Sequence, residues 1–303
     1  MQVGRLVGWS VVVLVSIVSG GWAQEPEAKS DAPPPAPNVA DVAALVEAHN
    51  RERAKDQLPF LKSDPKLESA ALVQARDMAE HNKMTHEGSD GSTAAQRIER
   101  ANFHYRGAAE NVAAGQRDVD EVMQAWLDSP PHKKNILGDF TEIGVACVKA
   151  KDGKPYWCVD FGKSWPVLDP KAAEAAVLDG FNEARAKAEK PRAKLKFESR
   201  LKAAAEHHAQ AVASLGEYSA KDKEGKTPFQ RLEESGYQFR RIGQLVSVGQ
   251  PTPEDALKAW LEDEKNRETI LGDYTEVGIG YAASEKEIPF WVILIAKPFD
   301  SSR

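Results

Sequence analysis

Three polar residues in the first half of the chain, His86, Glu110 and His132, have side chains that can do chemistry together. Two imidazoles and a carboxylate form the ligand set of a zinc ion with an open coordination position, and they also suit an acid/base pair working near neutral pH. The three residues are 24 and 22 positions apart, so only the tertiary fold can bring them together. Spacing alone leaves both chemistries open, together with the alternative that all three are ordinary surface residues.

An internal repeat distinguishes these three residues from their surroundings. Residues 125–145 and 259–279 are identical at ten of 21 positions without a gap, and a constant offset of 134 residues aligns the two halves from residue 67 onward. Such a repeat indicates a duplicated domain. At this offset the candidates are replaced together: His86 by Ala220, Glu110 by Gln244 and His132 by Asn266. The first copy therefore carries the candidate site, and the second copy keeps the pattern of the fold without it.

Length and charge restrict the class of protein. The 303 residues suffice for two domains, and at about 130 residues each domain can bury roughly two thirds of its unfolded surface. The net charge of −6 offers no basic field for phosphates, so we expect no nucleic acid partner. The sequence contains no G-x-S-x-G elbow and no glycine-rich phosphate loop, which argues against hydrolases and nucleotide enzymes of those types.

Residues 1–23 have the composition of a secretory signal peptide. Arg5 supplies a positive charge, an apolar run follows, and small residues at the end of the segment predict cleavage after Ala23. The alternative is an uncleaved anchor, because the 18 uncharged residues that begin at Leu6 reach the lower limit of a membrane span. After cleavage we expect no transmembrane domain. Residues 24–40, rich in proline and alanine, predict a linker, and the folded part is expected to be secreted or periplasmic.

Helical and strand patterns place the three candidates in different elements. The predicted series is a helix through Arg53, a helix capped by Asp64, a short helix from Thr93, a helix opened by Asp118, and strands at 141–148 and 155–161. His86 falls in a polar, glycine-punctuated loop, Glu110 in a short buried strand or loop, and His132 after the prolines that end the Asp118 helix. The pattern restarts after residue 170, which predicts a second domain over residues 171–300.

The two cysteines lie on the two strands of a predicted hairpin. A two-residue turn centred on Asp152 and Gly153 places Cys147 directly opposite Cys158. Opposed side chains come close to disulfide distance, and an extracytoplasmic compartment is oxidising, so we predict a cross-strand disulfide. A shifted register or two free thiols are the alternatives.

The motifs around these residues resemble one known family over residues 41–162. The matching segments are the sequences His49-Asn50-Arg51, MTHEGSDGS, AENVAAG, AWLDSPPHKKNIL, FTEIGV and YWCVDFG, in family order. They are similar to the CAP superfamily of cysteine-rich secretory proteins, antigen 5 and pathogenesis-related 1 proteins, in its short bacterial form. The resemblance implies an α+β fold with two tandem α-β-α sandwiches, each holding a small antiparallel sheet between helical layers. It also implies an intact-looking cleft in residues 41–165 and a degenerate copy in residues 171–300.

The same resemblance assigns roles to the candidate residues. It implies that His86 and His132 are the cleft histidines and metal ligands, with Glu110 as an acidic partner and with zinc or another divalent metal as cofactor. The sequence departs from the family pattern at Ala109, where a glycine is usual, and at Asp128, which stands where a second glutamate is expected and is a candidate substitute.

These inferences lead to one main hypothesis and two alternatives. The main hypothesis is a secreted protein whose first domain binds a divalent metal and an unidentified ligand, with the second domain as scaffold or interaction surface. One alternative is a metal-assisted hydrolase of cell-envelope or extracellular polymer with Glu110 as general base. The other is a lipid-binding or structural surface protein. A shared fold does not decide among them, because fold and function are separable.

Overall fold

The computed structural model describes residues 39–299, with side chains from residue 42, so the predicted signal peptide and most of the predicted linker lie outside the described residues. The described chain divides into two compact units between Ser164 and Trp165. Within this part of the chain, no helix is long and apolar enough to cross a membrane.

The first domain contains five helices and four strands among its described residues. In chain order they are α1 (Val39–Lys55), β1 (Lys62–Ser63), α2 (Pro65–His81), α3 (Ala94–Arg100), β2 (Tyr105–Ala114), α4 (Val119–Leu127), α5 (Pro130–Ile136), β3 (Glu142–Lys149) and β4 (Pro155–Ser164). The sheet order is β1-β3-β4-β2, in which β1 pairs parallel with β3 and the other pairs are antiparallel. Glu110 therefore lies on an edge strand.

The sheet of the first domain lies between two helical layers. Successive residues of a strand point to opposite faces. Even-numbered residues of β2 and β4, such as Val112 and Cys158, pack with α2 and α3, whereas odd-numbered ones, such as Trp157 and Phe161, pack with α1, α4 and α5. This is the α-β-α sandwich that the family resemblance implies.

The predicted cap and alanine stripe of α2 explain how closely this helix packs on the sheet. Asp64 accepts hydrogen bonds from the first backbone amides of the helix, and Pro65 is its first residue. The buried face consists mainly of alanine, with Leu67 at its start, and it meets Gly144 of β3. A Cβ at Gly144 would overlap the backbone of Leu67, so the glycine is required for this approach.

A buried arginine connects the opposite layer to the chain that precedes β3. Arg53 of α1 is 1% exposed. Its guanidinium donates to the carbonyls of Ile136 and Gly138 at 2.8 Å each and to that of Phe140 at 3.2 Å. These hydrogen bonds replace the water that the carbonyls would bind in the unfolded chain, and their donor is charged. They therefore stabilise the segment that links α5 to β3.

The second domain repeats the architecture of the first. Its elements are α6 (Pro170–Lys187), β5 (Lys196–Phe197), α7 (Ser199–Leu215), α8 (Pro228–Glu234), β6 (Phe239–Val248), α9 (Pro253–Glu262), α10 (Glu264–Ile270), β7 (Glu276–Ala283) and β8 (Pro289–Pro298). The sheet order is β5-β7-β8-β6. Arg185 repeats the contacts of Arg53 by donating to the carbonyls of Ile270, Gly272 and Tyr274.

The predicted hairpin is present, but the predicted disulfide is wrong. Both cysteines are among the described residues, and they are buried thiols that are not joined to each other. The turn holds three residues between Ala150 and Lys154, with Gly153 at a φ of +85°, instead of the two assumed from the sequence. Cys147 therefore pairs with Trp157, and Cys158 pairs with Ala146. A register change of one residue moves a side chain to the other face, so the two thiols lie on opposite sides of the sheet.

Candidate functional site

Glu110 is the centre of a buried polar cluster on the α2 and α3 face of the first sheet. Its side chain is fully buried and lies opposite Asp160 of β4 in the β2–β4 register. His86 reaches it from the loop after α2, and Arg97 reaches it from α3. The loop is shaped by a hydrogen bond from Gly88 N to the Ser92 carbonyl, and Thr93 then caps α3 with Gln96 in a capping box.

Both oxygens of Glu110 are engaged. His86 Nδ1 lies 2.8 Å from Glu110 Oε1, and Arg97 Nη2 donates to Glu110 Oε2 at 2.6 Å. Arg97 also donates to the His86 carbonyl at 3.0 Å and to the Ser92 carbonyl at 2.9 Å, so one guanidinium fixes both the loop and the carboxylate. Removing either charge would leave the other buried without compensation, which is costly.

The contact with Glu110 determines the orientation of His86. A carboxylate oxygen can only accept a hydrogen bond, so His86 Nδ1 carries a proton, and in the neutral imidazole the lone pair is on Nε2. That Nε2 atom is buried and has no hydrogen-bond partner among the described residues. A carboxylate behind one imidazole nitrogen with the other nitrogen available is the arrangement of metal-binding histidines. His86 therefore has the arrangement of a metal ligand.

His132 is buried on α5, and α5 is tied to β2 beside Glu110. The helix begins at Pro130, so the two prolines that were expected to end a helix in fact start a new one. Asn111 Nδ2 donates to the His132 carbonyl at 3.2 Å, and Asn135 Nδ2 donates to Asn111 Oδ1 at 2.8 Å. The residue next to Glu110 in β2 therefore holds the helix that carries His132.

Two predicted roles receive no support from these contacts. Asp128 is exposed at the end of α4, where it accepts a hydrogen bond from Gln124 at 2.8 Å instead of facing the buried cluster. The two oxygens of Glu110 contact His86 and Arg97, and these contacts give no support to the general-base role.

Cys158 and Asp160 belong to the same cluster; the sequence selected Cys158 only for a disulfide and did not select Asp160. Cys158 Sγ donates to Glu110 Oε2 at 3.4 Å. One ligand atom from each of Glu110, Cys158 and Asp160 lies within 4.8 Å of the other two, a grouping that could hold a metal ion. The offset of 134 pairs Cys158 with Val292 and Asp160 with Leu294. The comparison of the two copies could therefore have identified both residues as specific to the first domain.

The electrostatics of the cluster follow from its burial. Burial, together with the negative charge of Glu110, raises the pKa of Asp160 well above its usual range, although Arg97 opposes the change. Burial also raises the pKa of the Cys158 thiol, and Glu110 and Asp160 add to the effect. The cluster therefore keeps one buried ion pair, Glu110 with Arg97, and favours neutral Asp160 and Cys158.

The second domain arranges the corresponding positions differently. Gln244 replaces Glu110 in the matching strand, opposite Leu294. Arg231, which corresponds to Arg97, donates instead to Asp222, and His207 Nε2 lies 3.3 Å from the same carboxylate. The second domain therefore keeps the arginine but not the acid, thiol and histidine of the first.

Comparisons with known proteins point to one family. The family profile described as CAP, cysteine-rich secretory protein family, matches residues 46–161 and 178–295. YkwD of Bacillus subtilis is 36% identical over 107 residues, which are 35% of this chain and 42% of YkwD, so the match spans less than half of that relative.

Two solved structures are also similar to parts of the chain. An outer surface protein of Borrelia burgdorferi is 31% identical with a TM-score of 0.39, covering 42% of this chain and 94% of that one. An extracellular protein from Bacillus anthracis that contains a SCP domain is 27% identical with a TM-score of 0.38, covering 41% of each chain. With both domains matched by the family profile, the chain belongs to the cysteine-rich secretory protein (CAP) family and carries the domain twice.

Proposed function

We propose that the first domain binds a divalent metal ion through His86 and His132, and that the metal in turn holds an unidentified external ligand. Glu110 positions His86, and Arg97 positions Glu110. The second domain acts as a scaffold or an interaction surface. The protein works outside the cytoplasm, in keeping with the composition of residues 1–23.

The observation that carries the proposal is the state of the His86 imidazole. Its Nδ1 atom is committed to Glu110 at 2.8 Å, and its Nε2 atom is buried without a partner among the described residues. Burying a polar atom without a hydrogen bond costs free energy. A metal bound to Nε2 would remove this cost. Zinc bound by two imidazoles keeps coordination positions for water or an external ligand.

The internal repeat provides independent support for the same residues. The two domains share a buried tryptophan at matching positions, Trp126 and Trp260, and each is 1% exposed. The replacements of His86 by Ala220, Glu110 by Gln244 and His132 by Asn266 leave that architecture intact. Because the fold does not require these three side chains, a binding role explains why the first domain has them together.

Calorimetric titration of the full chain with Zn²⁺ tests the proposal. The variants His86→Ala and His132→Asn copy the second domain, and His81→Asn removes an exposed histidine at the end of α2 as a matched control. We expect a zinc-binding step in the wild type and in the control. Loss of a ligand should lower the zinc affinity by more than about 100-fold, because loss of a residue that only hydrogen-bonds to a ligand typically lowers metal affinity 10–100-fold. Isotherms that do not differ among the four proteins would exclude this site.

A further inference from the structure

Asp160 is a buried carboxyl group that the histidine site does not use. Its residue is 0% exposed, and neither carboxylate oxygen has a hydrogen-bond partner among the described residues. A buried carboxyl without a partner is expensive and calls for an explanation. Its neighbours are Cys158 on the same strand and Glu110 on the adjacent one, and the ligand atoms of all three lie within 4.8 Å of one another.

We propose that Cys158, Asp160 and Glu110 form a second metal site, selective for thiophilic divalent ions such as Zn²⁺ and Cd²⁺. One sulfur and two carboxylate oxygens are donors that zinc accepts, and the sulfur favours soft ions over Mg²⁺ and Ca²⁺. This site does not depend on His86 or His132 as ligands.

The charges of the cluster suit a divalent ion. As anionic ligands, Cys158, Asp160 and Glu110 contribute three negative charges, and Arg97 contributes one positive charge. An ion of charge +2 makes the buried group neutral. When the ion binds, the Cys158 thiol gives up the proton that it donates to Glu110.

The existing contacts leave room for this exchange. Tetrahedral zinc needs ligand atoms about 3.5 Å apart, so atoms within 4.8 Å must move inward by roughly 1 Å. Asp160 breaks no hydrogen bond to a described residue when it moves. The Cys158 thiol already points its proton at Glu110 Oε2, 3.4 Å away, so an ion can take the place of that proton while Arg97 keeps its own contact with the same carboxylate.

A pocket lies beside the cluster. It has a volume of about 320 Å³, and its charged lining residues are Asp77, Glu80, Asp90, Arg76 and Arg97. Arg97 lies both at the wall of this pocket and against Glu110, so the pocket reaches the edge of the cluster.

The second domain supplies variants that keep the fold and remove the ligands. At the aligned positions it has Gln244, Val292 and Leu294, and the strand register is the same as in the first domain. All three donors are therefore absent together from a sheet that otherwise matches. The fold tolerates a neutral amide and two apolar residues at these positions.

Titration with Cd²⁺ under reducing conditions tests this site. The probe is the full chain after removal of metal, and the readout is the ultraviolet charge-transfer band of a thiolate–Cd²⁺ bond. We expect one equivalent of the band in the wild type. The variant Cys158→Val should lose it, whereas Cys147→Val, which removes the other buried thiol, should keep it. The variant Asp160→Asn should weaken Cd²⁺ binding at least tenfold.

Each result either supports or overturns the second site. No band in the wild type at millimolar Cd²⁺, or a band that survives Cys158→Val, refutes it. If near-ultraviolet circular dichroism shows that Cys158→Val does not fold, unchanged affinity in Asp160→Asn refutes it instead. The variant His132→Asn separates the two proposals, because it should abolish the histidine-dependent zinc step and leave the thiolate band unchanged.

Discussion

The stability of the first domain should depend on pH through His49, which is fully buried in the helical layer opposite the Glu110 cluster. Its Nδ1 atom donates to the Leu45 carbonyl at 2.8 Å, and its ring lies 5.8 Å from that of Trp126 and 5.5 Å from that of Phe161. Burial lowers the pKa of His49 from 6.5 to about 4, the Leu45 hydrogen bond opposes this, and the charge of Arg53 adds to it.

The sign and size of the effect follow from this lowered pKa. The folded domain keeps His49 neutral, whereas the unfolded chain binds a proton below pH 6.5. The contribution to stability is therefore fully present above pH 6.5 and is lost as the pH falls toward 4. At 1.36 kcal/mol per pH unit, the free energy of unfolding decreases by about 3 kcal/mol over this interval.

The variant His49→Phe isolates this contribution. Phe181 occupies the matching position in the second domain, with its ring 5.6 Å from that of Trp260. We would measure urea unfolding of both proteins by circular dichroism from pH 4 to pH 8 in the presence of EDTA. Titrations shared by the two proteins cancel in the difference, so the stability of the variant relative to wild type should rise by about 3 kcal/mol as the pH falls. A difference that stays constant across this range would refute the assignment.

Three further predictions concern the fold. Replacing Arg53 by Met leaves buried carbonyls without donors and should cost the first domain at least about 3 kcal/mol, whereas Arg185→Met should affect only the second, as two calorimetric transitions would show. Gly144→Ala should destabilise the first domain by at least about 3 kcal/mol in denaturant titrations, because its methyl group overlaps the backbone of α2. Cys147 and Cys158 should both react with a thiol reagent without prior reduction, but only after denaturation. Modification of the native protein, or a need for reductant, would contradict this placement.

The sequence was sufficient for the features that depend on local patterns or on the repeat. The cap formed by Asp64, the alanine-rich face of α2 and the hairpin are encoded within short segments, and each is present in the structure. The offset of 134 residues predicts the duplicated domain, which the family profile confirms. It also selects His86 and Glu110, and the structure brings these two into contact at 2.8 Å.

The tertiary structure alone decided the pairing of strands. Asp152-Gly153 fits both two-residue and three-residue turns, and the choice between them is made by how β3 and β4 pack on the helices. That choice places Cys147 and Cys158 on opposite faces and sets Asp160 opposite Gly144 on β3. In a sheet, a shift of one residue exchanges the faces of every side chain, so sequence distance cannot say which polar groups share a face.

In the candidate site, too, the sequence identified residues, whereas only the structure showed their contacts. Sequence comparison identified residue types that the fold does not need, because a second copy without them keeps the architecture. It could not show that Arg97 occupies one oxygen of Glu110 or that Asp160 lies beside it, 50 residues away in the chain. Those relations arise only when β2 and β4 pair and α3 packs against them, since burial and strand register, not local sequence, determine which charges meet.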